Sequence, residues 1–216
     1  MYEKLAILIP TFNPTDKLIK TINNLKENGF KHIIIVNDGS FNNEIFSKIE
    51  VDRILKHDFN EGKGKALKTG FEYLKKLDFD GAITLDDDLQ QDILDIKKIA
   101  DYFLKNEGIY FGVRNFEGAP FLRKFANKII SKVFKVLYKE DICDTQTGLR
   151  CFPKKMFPWL TEIEGNGFEY EMNVLKTLVK EKYTINKVYI KTIYNGGKSH
   201  YHAIKDSYKI IKTILK

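Results

Sequence analysis

Residues 4–13, Lys4-Leu5-Ala6-Ile7-Leu8-Ile9-Pro10-Thr11-Phe12-Asn13, hold the key to the fold. An unbroken apolar run from Leu5 to Ile9 breaks off into a polar cluster. A strand with one wet face alternates; a strand covered on both faces reads as a continuous apolar stretch. The same shape returns in HIIIVND (32–38) and GAITLDD (81–87), with further strands expected in DRILKHD (52–58) and GIYFGVRN (108–115). Between them lie helical patterns. Residues 15–28 place Leu18, Ile22 and Leu25 on one face, residues 64–77 form a second helix, and 92–105 turn Ile93, Ile96, Ile99, Ala100 and Phe103 inward. Buried strands alternating with helices predict an α/β fold with a mostly parallel sheet covered on both faces.

The second half is less regular. Residues 119–139 read as a long basic amphipathic helix. TGLRCFP (147–153), a helix near 168–182, a strand in TINKVYIKTIY (184–194) and a helix from about 203 follow. No repeat, low-complexity segment or Pro/Gly/Ser linker interrupts the 216 residues, so 1–216 is expected to form one domain.

Composition narrows the function. With 43% hydrophobic and 30% charged residues, the chain is an ordinary globular one. No apolar run approaches the roughly 20 residues that cross a bilayer. The N-terminus has a short apolar stretch preceded by an acid and lacks a signal-peptide pattern, so a cytoplasmic protein is expected. Cys143 and Cys151 match no common zinc or redox spacing. A formal net charge of +7 calls for an anionic partner. Nucleic acid is not expected, because the aromatics lie in apolar runs and are not interleaved with basic residues.

The unusual polar stretches fall just past the strands: PTFN (10–13), NDGS (37–40), DDDLQ (86–90) and VRN (113–115). Ligands of open α/β sheets bind outside the carboxyl ends of the strands, so these clusters are expected on one rim. Within LDDDLQQD (85–92), Asp86 and Asp88 stand two apart and would point the same way while the strand continues. Two adjacent carboxylates repel unless a cation neutralises them, and hard oxygen ligands favour Mg²⁺ or Mn²⁺. NEGKGKA (60–66) is neither a P-loop, having Phe59 and Ala66 at the required Gly and Ser/Thr positions, nor a dinucleotide fingerprint, since Leu67 replaces the last glycine. Gly62 and Gly64 are read as a turn into a helix whose N-terminus could attract an anion, with the role of Lys63 left open.

PTFN, VNDGS, NEGKGKA, LDDDLQ, GVRN and DTQTGLR occur in the order found in family 2 glycosyltransferases. The chain resembles their dolichol-phosphate-mannose synthase-like branch, with FEYEMNVL and TIYNGGKSHYHAIKDSYKI similar to the tail of that branch. The resemblance implies a GT-A fold, with the nucleotide over residues 1–115 and the acceptor over 116–216. It implies an inverting transfer of a hexose-type sugar from a GDP- or UDP-linked donor to a polyprenyl phosphate. Pro10, Thr11, Phe12 and Asn13 would line the base pocket, with Asp38 facing the nucleoside and Lys63 and Asp87 on the nucleotide side. Asp86, Asp88 and Gln90 would hold the metal and diphosphate. Arg114 and Arg123 would contact the reacting phosphates, while Asp144, Gln146, Lys198 and His200 would lie by the sugar or acceptor. The catalytic set is then Asp88, Arg114, Arg123 and Asp144. Pro14 stands where the family usually has an acid, Asn37 where it has Asp, and Asp87 where it has a small residue.

A lipid-phosphate acceptor is already anionic and needs no base; Arg114, Arg123, Arg150 and Lys198 would bring the two anions together. A hydroxyl acceptor needs a carboxylate base, and Asp144 is the candidate. In helix 119–139, Phe121, Phe125, Ile129, Val133 and Val136 form an apolar stripe accompanied by Arg123 and five lysines (124, 128, 132, 135 and 139). That composition suits peripheral contact with an anionic membrane. A core-packing helix with a solvated basic face is the competing reading.

Overall fold

The computed structural model describes residues 2–114, 121–140, 142, 144–191 and 212–214, with no side-chain description at 121–123 and 126. The elements run β1 (Leu5–Thr11), α1 (Asp16–Glu27), β2 (His32–Asn37), α2 (Glu44–Ser47), β3 (Arg53–Lys56), α3 (Lys63–Leu74), β4 (Gly81–Thr84), α4 (Ile93–Lys105), β5 (Ile109–Arg114), α5 (Phe121–Tyr138), β6 (Arg150–Pro153), α6 (Phe157–Glu162), α7 (Glu169–Lys180) and β7 (Ile185–Ile190). A 3₁₀ turn, Lys154–Met156, leads into α6. The strands form one seven-stranded sheet in the order β3-β2-β1-β4-β6-β5-β7. Only β6 runs against the rest, antiparallel to both β4 and β5.

The continuous apolar strands are two-faced, as expected. Leu5, Ile7 and Ile9 pack with Leu18, Ile22 and Leu25 of α1 and with Ile96, Ile99 and Phe103 of α4. Ala6 and Leu8 face the other way, onto Leu67 and Phe71 of α3 and the residues of α6 and α7. Glycine at 70 lets α3 approach, because a Cβ there would lie 2.2 Å from Leu8 Cδ1.

From β1 the chain steps outward through β2 and β3, then crosses back to place β4 on the other side of β1. Connections diverging from adjacent strands leave a crevice at their carboxyl ends, the usual seat of ligands in such sheets. PTFN follows β1 and DDDLQ follows β4, so the two clusters meet at that crevice.

Helix α5 carries two apolar stripes, not one. Ile130 and Phe134 are buried in the core, with Val133 and Tyr138 packed against it. Phe125 (54% exposed), Ile129 and Val136 (70% exposed) face outward, and so do Lys124, Lys128, Lys132, Lys135 and Lys139. Of the stripe read from the sequence, Phe125, Ile129 and Val136 face outward and Val133 turns inward, while the side chain of Phe121 lies outside the described residues. Sequence periodicity does not reveal α2, α6 or the reversal at β6. No helix among the described residues is long and apolar enough to cross a membrane.

Candidate active site

The crevice opens into a cavity of about 430 Å³. Pro10, Thr11 and Phe12 from the end of β1, Asp38 after β2, and Asp86, Asp87, Asp88, Gln90 and Gln91 after β4 line it. Lys63 and Ala66 of α3, Arg114 at the end of β5, Thr145–Gly148, and Phe168, Glu171 and Met172 complete the wall. Most of the expected strand-end residues therefore converge. Asn13 does not: its amide N–H donates to Ser40 Oγ (2.8 Å) and its Oδ1 accepts from Phe41 N (2.9 Å), so it fastens two loops together. Lys198 and His200, with Cys143, lie outside the described residues, as does the side chain of Arg123.

The four aspartates of LDDDLQQD have four different roles. β4 ends at Thr84, so strand alternation does not set their directions; each is turned by its own partner. Asp86 Oδ1 accepts from Lys63 Nζ at 2.6 Å, and Oδ2 from Gln91 Nε2 at 3.3 Å. The missing Cβ of Gly148 makes room for this carboxylate, since a Cβ would fall 2.3 Å from Asp86 Oδ2. Asp87 Oδ2 accepts from the Thr11 hydroxyl, tying the β4 loop to β1. Asp88 lines the cavity, with Oδ1 accepting from Gln90 N at 3.0 Å. Asp92 caps α4 through Leu94 N at 2.9 Å.

Electrostatics separate Asp86 from Asp88. Burial works to raise the Asp86 carboxyl, but the Lys63 ammonium, with help from Arg114, outweighs it and leaves Asp86 below its ordinary range. Asp88 is compensated less: burial first, then the neighbouring Asp86 charge, pushes it up to about 6 against the weaker pull of the Gln90 N–H and of Lys63. Lys63 sits between two acids, 2.6 Å from Asp86 Oδ1 and 2.8 Å from Glu171 Oε2. Burial opposes its charge, yet Asp86 and Glu171 together raise its pKa. Glu171 lies within FEYEMNVL (168–175), but the sequence alone gives it no role in the site.

Asp38 lines the cavity, but its carboxylate is spent on the loop that precedes α3. Oδ1 accepts from Glu61 N (2.9 Å) and contacts His57 Nδ1 (2.7 Å), and Oδ2 accepts from Gly62 N (2.8 Å). Gly62, at φ 104°, supplies the expected turn into α3. Gly64 does not: it lies inside α3, where a Cβ would fall 2.4 Å from Tyr170 Cβ, so it serves helix packing.

The arginine side is arranged differently. Arg114 Nε donates to Asp144 Oδ2 (2.7 Å) and its Nη2 to Oδ1 (2.9 Å), a bidentate pair. The backbone N–H groups of Arg114 and Gln146 add bonds of 3.1 Å each. Asp144 is 0% exposed and stands behind Arg114, whereas Arg114 and Gln146 line the cavity. Both Asp144 oxygens are engaged, which suits a holder of Arg114 better than a proton acceptor. Arg150 is neither a surface charge nor an anion contact. It is buried, its Nε donating to Thr147 O (2.9 Å) and Nη1 to Glu171 O (2.8 Å), with its guanidinium 4.5 Å from the Phe111 ring.

No cluster of three or more His, Cys, Asp and Glu side chains forms a ready metal cage among the described residues. The donor set nonetheless fits a hard divalent ion of the kind held by one or two carboxylates plus phosphate oxygens. Asp88 presents a carboxylate short of positive charge, with Asp86 beside it and Gln90 within the same loop. The charge balance agrees. Asp38, Asp86, Asp87, Asp88 and Glu171 face the cavity against only Lys63 and Arg114 among its described lining residues. A diphosphate entering without an added cation would meet net repulsion.

Residues 6–163 match the family described as Glycosyl transferase family 2. A UDP-N-acetylglucosamine–dolichyl-phosphate N-acetylglucosaminyltransferase of Methanococcus voltae is 29% identical over 220 aligned positions, covering 90% of this chain and 88% of that protein. Glycosyltransferase AglJ of Haloferax volcanii is 24% identical, covering 80% of this chain and 58% of its own. Among solved structures, glucosyl-3-phosphoglycerate synthase from Mycobacterium tuberculosis, in complex with Mn²⁺, UDP-glucose and phosphoglyceric acid, superposes with a TM-score of 0.76. It shares 14% identity, with 98% of this chain and 78% of that one covered, and establishes the GT-A fold.

Proposed function

The chain belongs to glycosyl transferase family 2, and from that premise we propose that it transfers a hexose-type sugar from a UDP- or GDP-linked donor to a polyprenyl phosphate. The observation that carries this reading is the cavity at the β1–β4 crevice, rich in carboxylates yet faced by Arg114. Residues 1–115 supply the nucleotide side and 116–216 the acceptor side of one domain. Pro10, Thr11 and Phe12 bound the base pocket. Asp38 shapes the Glu61–Gly62 loop around the nucleoside, and Asp87 fixes the β4 loop to Thr11.

Asp86, Asp88 and Gln90 would hold Mg²⁺ or Mn²⁺, which when bound neutralises charge on the diphosphate leaving group. The crystallised synthase with Mn²⁺ supports that assignment by analogy of fold. Arg114, held rigid by Asp144, orients the anionic acceptor for a single in-line displacement. A phosphate oxygen bonds to the anomeric carbon as the bond to the nucleoside diphosphate breaks, with inversion and no proton to remove. Arg123, Gln146, Lys198 and His200 are assigned to the acceptor side.

Helix α5 supports the lipid acceptor. Its core stripe is satisfied by Ile130 and Phe134, yet Ile129 and Val136 are exposed among exposed lysines. Core packing accounts for one stripe and leaves the other for an anionic lipid surface. The Methanococcus relative, named for a dolichyl-phosphate acceptor, agrees with this. The test is transfer from labelled nucleotide sugars, UDP-N-acetylglucosamine first, to a short polyprenyl phosphate with Mn²⁺, Mg²⁺ or EDTA. A glycolipid formed only with metal is expected. Donor hydrolysis without glycolipid would move the acceptor to a hydroxyl compound.

A further inference from the structure

Lys63 is held between acids from two parts of the chain. Its Nζ lies 2.6 Å from Asp86, on the loop after β4, and 2.8 Å from Glu171, on α7. The same ammonium stands 5.9 Å from the Phe168 ring, and all four residues line the cavity. An ammonium at that distance from Asp86 occupies space and charge that an incoming divalent ion needs. Asp88, alone beside it, is a weak site for a bare ion while Lys63 stays.

We propose that Lys63 is a positioning residue that keeps divalent-ion affinity low until the nucleotide arrives, so that ion and nucleotide load together. This rests on the ion site assigned above to Asp86 and Asp88. Without nucleotide, a divalent ion must displace the Lys63–Asp86 contact and accept the repulsion of a cation nearby. With nucleotide, the diphosphate supplies negative charge for both cations, and Lys63 keeps its hold on Glu171. Ion and nucleotide are then coupled through one side chain, and the coupling is reciprocal.

The test is Mn²⁺ binding followed by the EPR signal of free Mn²⁺, with and without UDP or GDP. Wild type, Lys63→Met and Glu171→Gln are compared. Removing the Lys63 cation from beside Asp86 should tighten Mn²⁺ binding without nucleotide by at least about tenfold. The gain in Mn²⁺ affinity that nucleotide brings should shrink by a similar factor in Lys63→Met. A strut that merely supports the fold would give the opposite sign, and unchanged or weaker Mn²⁺ binding by folded Lys63→Met overturns the proposal. Glu171→Gln removes the second acid that shares Lys63, so its ammonium bears on Asp86 alone and Mn²⁺ binding should weaken, which keeps the idea testable if Lys63→Met does not fold; unchanged affinity in Glu171→Gln counts against it. If wild type binds no Mn²⁺ even with nucleotide, the ion site itself is wrong and the latch falls with it. If wild type binds and Lys63→Met does not tighten, only the latch fails.

Discussion

On the wall built from the ends of β1 and β4, Asp88 presents a carboxylate to the cavity and is left short of positive charge. On the adjoining wall, where β5 meets Thr145–Gly148, Asp144 is fully buried and both its oxygens grip Arg114. Both walls contain an aspartate near a basic group, yet they advertise opposite charges to a ligand. The first offers carboxylate to a cation, and the second offers guanidinium to an anion. A carboxylate in a cavity wall thus signifies little until its partners are known. What matters is which member of each pair reaches the ligand.

Breaking the first wall should have the largest effect. Asp88→Ala removes the carboxylate proposed to hold the ion and should lower metal-dependent transfer by about 10²–10³-fold, the range typical of losing one group that stabilises developing charge. Transfer rates at saturating donor, with Mn²⁺ varied, decide this; a rate within a few-fold of wild type would return Asp88 to an ordinary acidic turn. The second wall should respond less steeply and differently. Asp144→Asn loosens Arg114, so turnover should fall by about 10–100-fold while the pH–rate profile keeps its shape. Breaking a buried pair should also cost about 3 kcal/mol of stability, read from urea unfolding. If the acidic limb of the profile vanishes instead, Asp144 is a base and the acceptor is a hydroxyl.

The contrast can be sharpened by pH without changing the chemistry. Asp88 has its folded pKa raised to about 6 from the ordinary 3.8. The folded protein therefore favours the protonated form, and the stability linked to this group is present below pH 4 and lost as pH rises through about 6. In metal-free buffer, Asp88→Asn should raise the melting temperature at pH 8 and leave it nearly unchanged at pH 4. Ion binding runs the other way, weakening up to tenfold per pH unit below about 6 as protons compete for the carboxylate. Equal melting shifts at both pH values would mean that Asp88 is not strained by its surroundings.

Much of the first wall is legible in the sequence. The run Leu5–Ile9 declares a two-faced strand, and polar clusters just past the strands mark the rim. Strand alternation is a poor guide to Asp86–Asp88, because β4 stops at Thr84 and side-chain partners take over. The second wall is harder to read. Asp144 and Arg150 carry charges that composition assigns to solvent or chemistry, and only tertiary contacts show them consumed inside the protein. Glu171 on α7 joins the site through Lys63 at the start of α3, a distant pairing that no local pattern encodes. Helix α5 misleads in a related way: periodicity finds one stripe, but not that a second, at Ile130 and Phe134, already serves the core.

The smallest expected effect lies where the two walls meet the ligand together. Thr145 is 2% exposed, lines the cavity, and has an Oγ1 with no hydrogen-bond partner among the described residues. An unpaired buried hydroxyl costs free energy, so Thr145→Val should leave stability unchanged or raise it by up to about 1 kcal/mol. If a bound substrate completes that hydroxyl, the same change should weaken binding by about 3–10-fold, the worth of one neutral hydrogen bond. KM measured separately for donor and acceptor assigns the contact: a rise for one substrate, with kcat preserved, marks the partner. Thermal melts supply the control. A stability loss near 2 kcal/mol would mean that the hydroxyl is bonded within the folded protein. The Thr145–Gly148 segment would then belong with Asp144 to the scaffold behind Arg114, leaving ligand contact on that wall to Arg114 and Gln146.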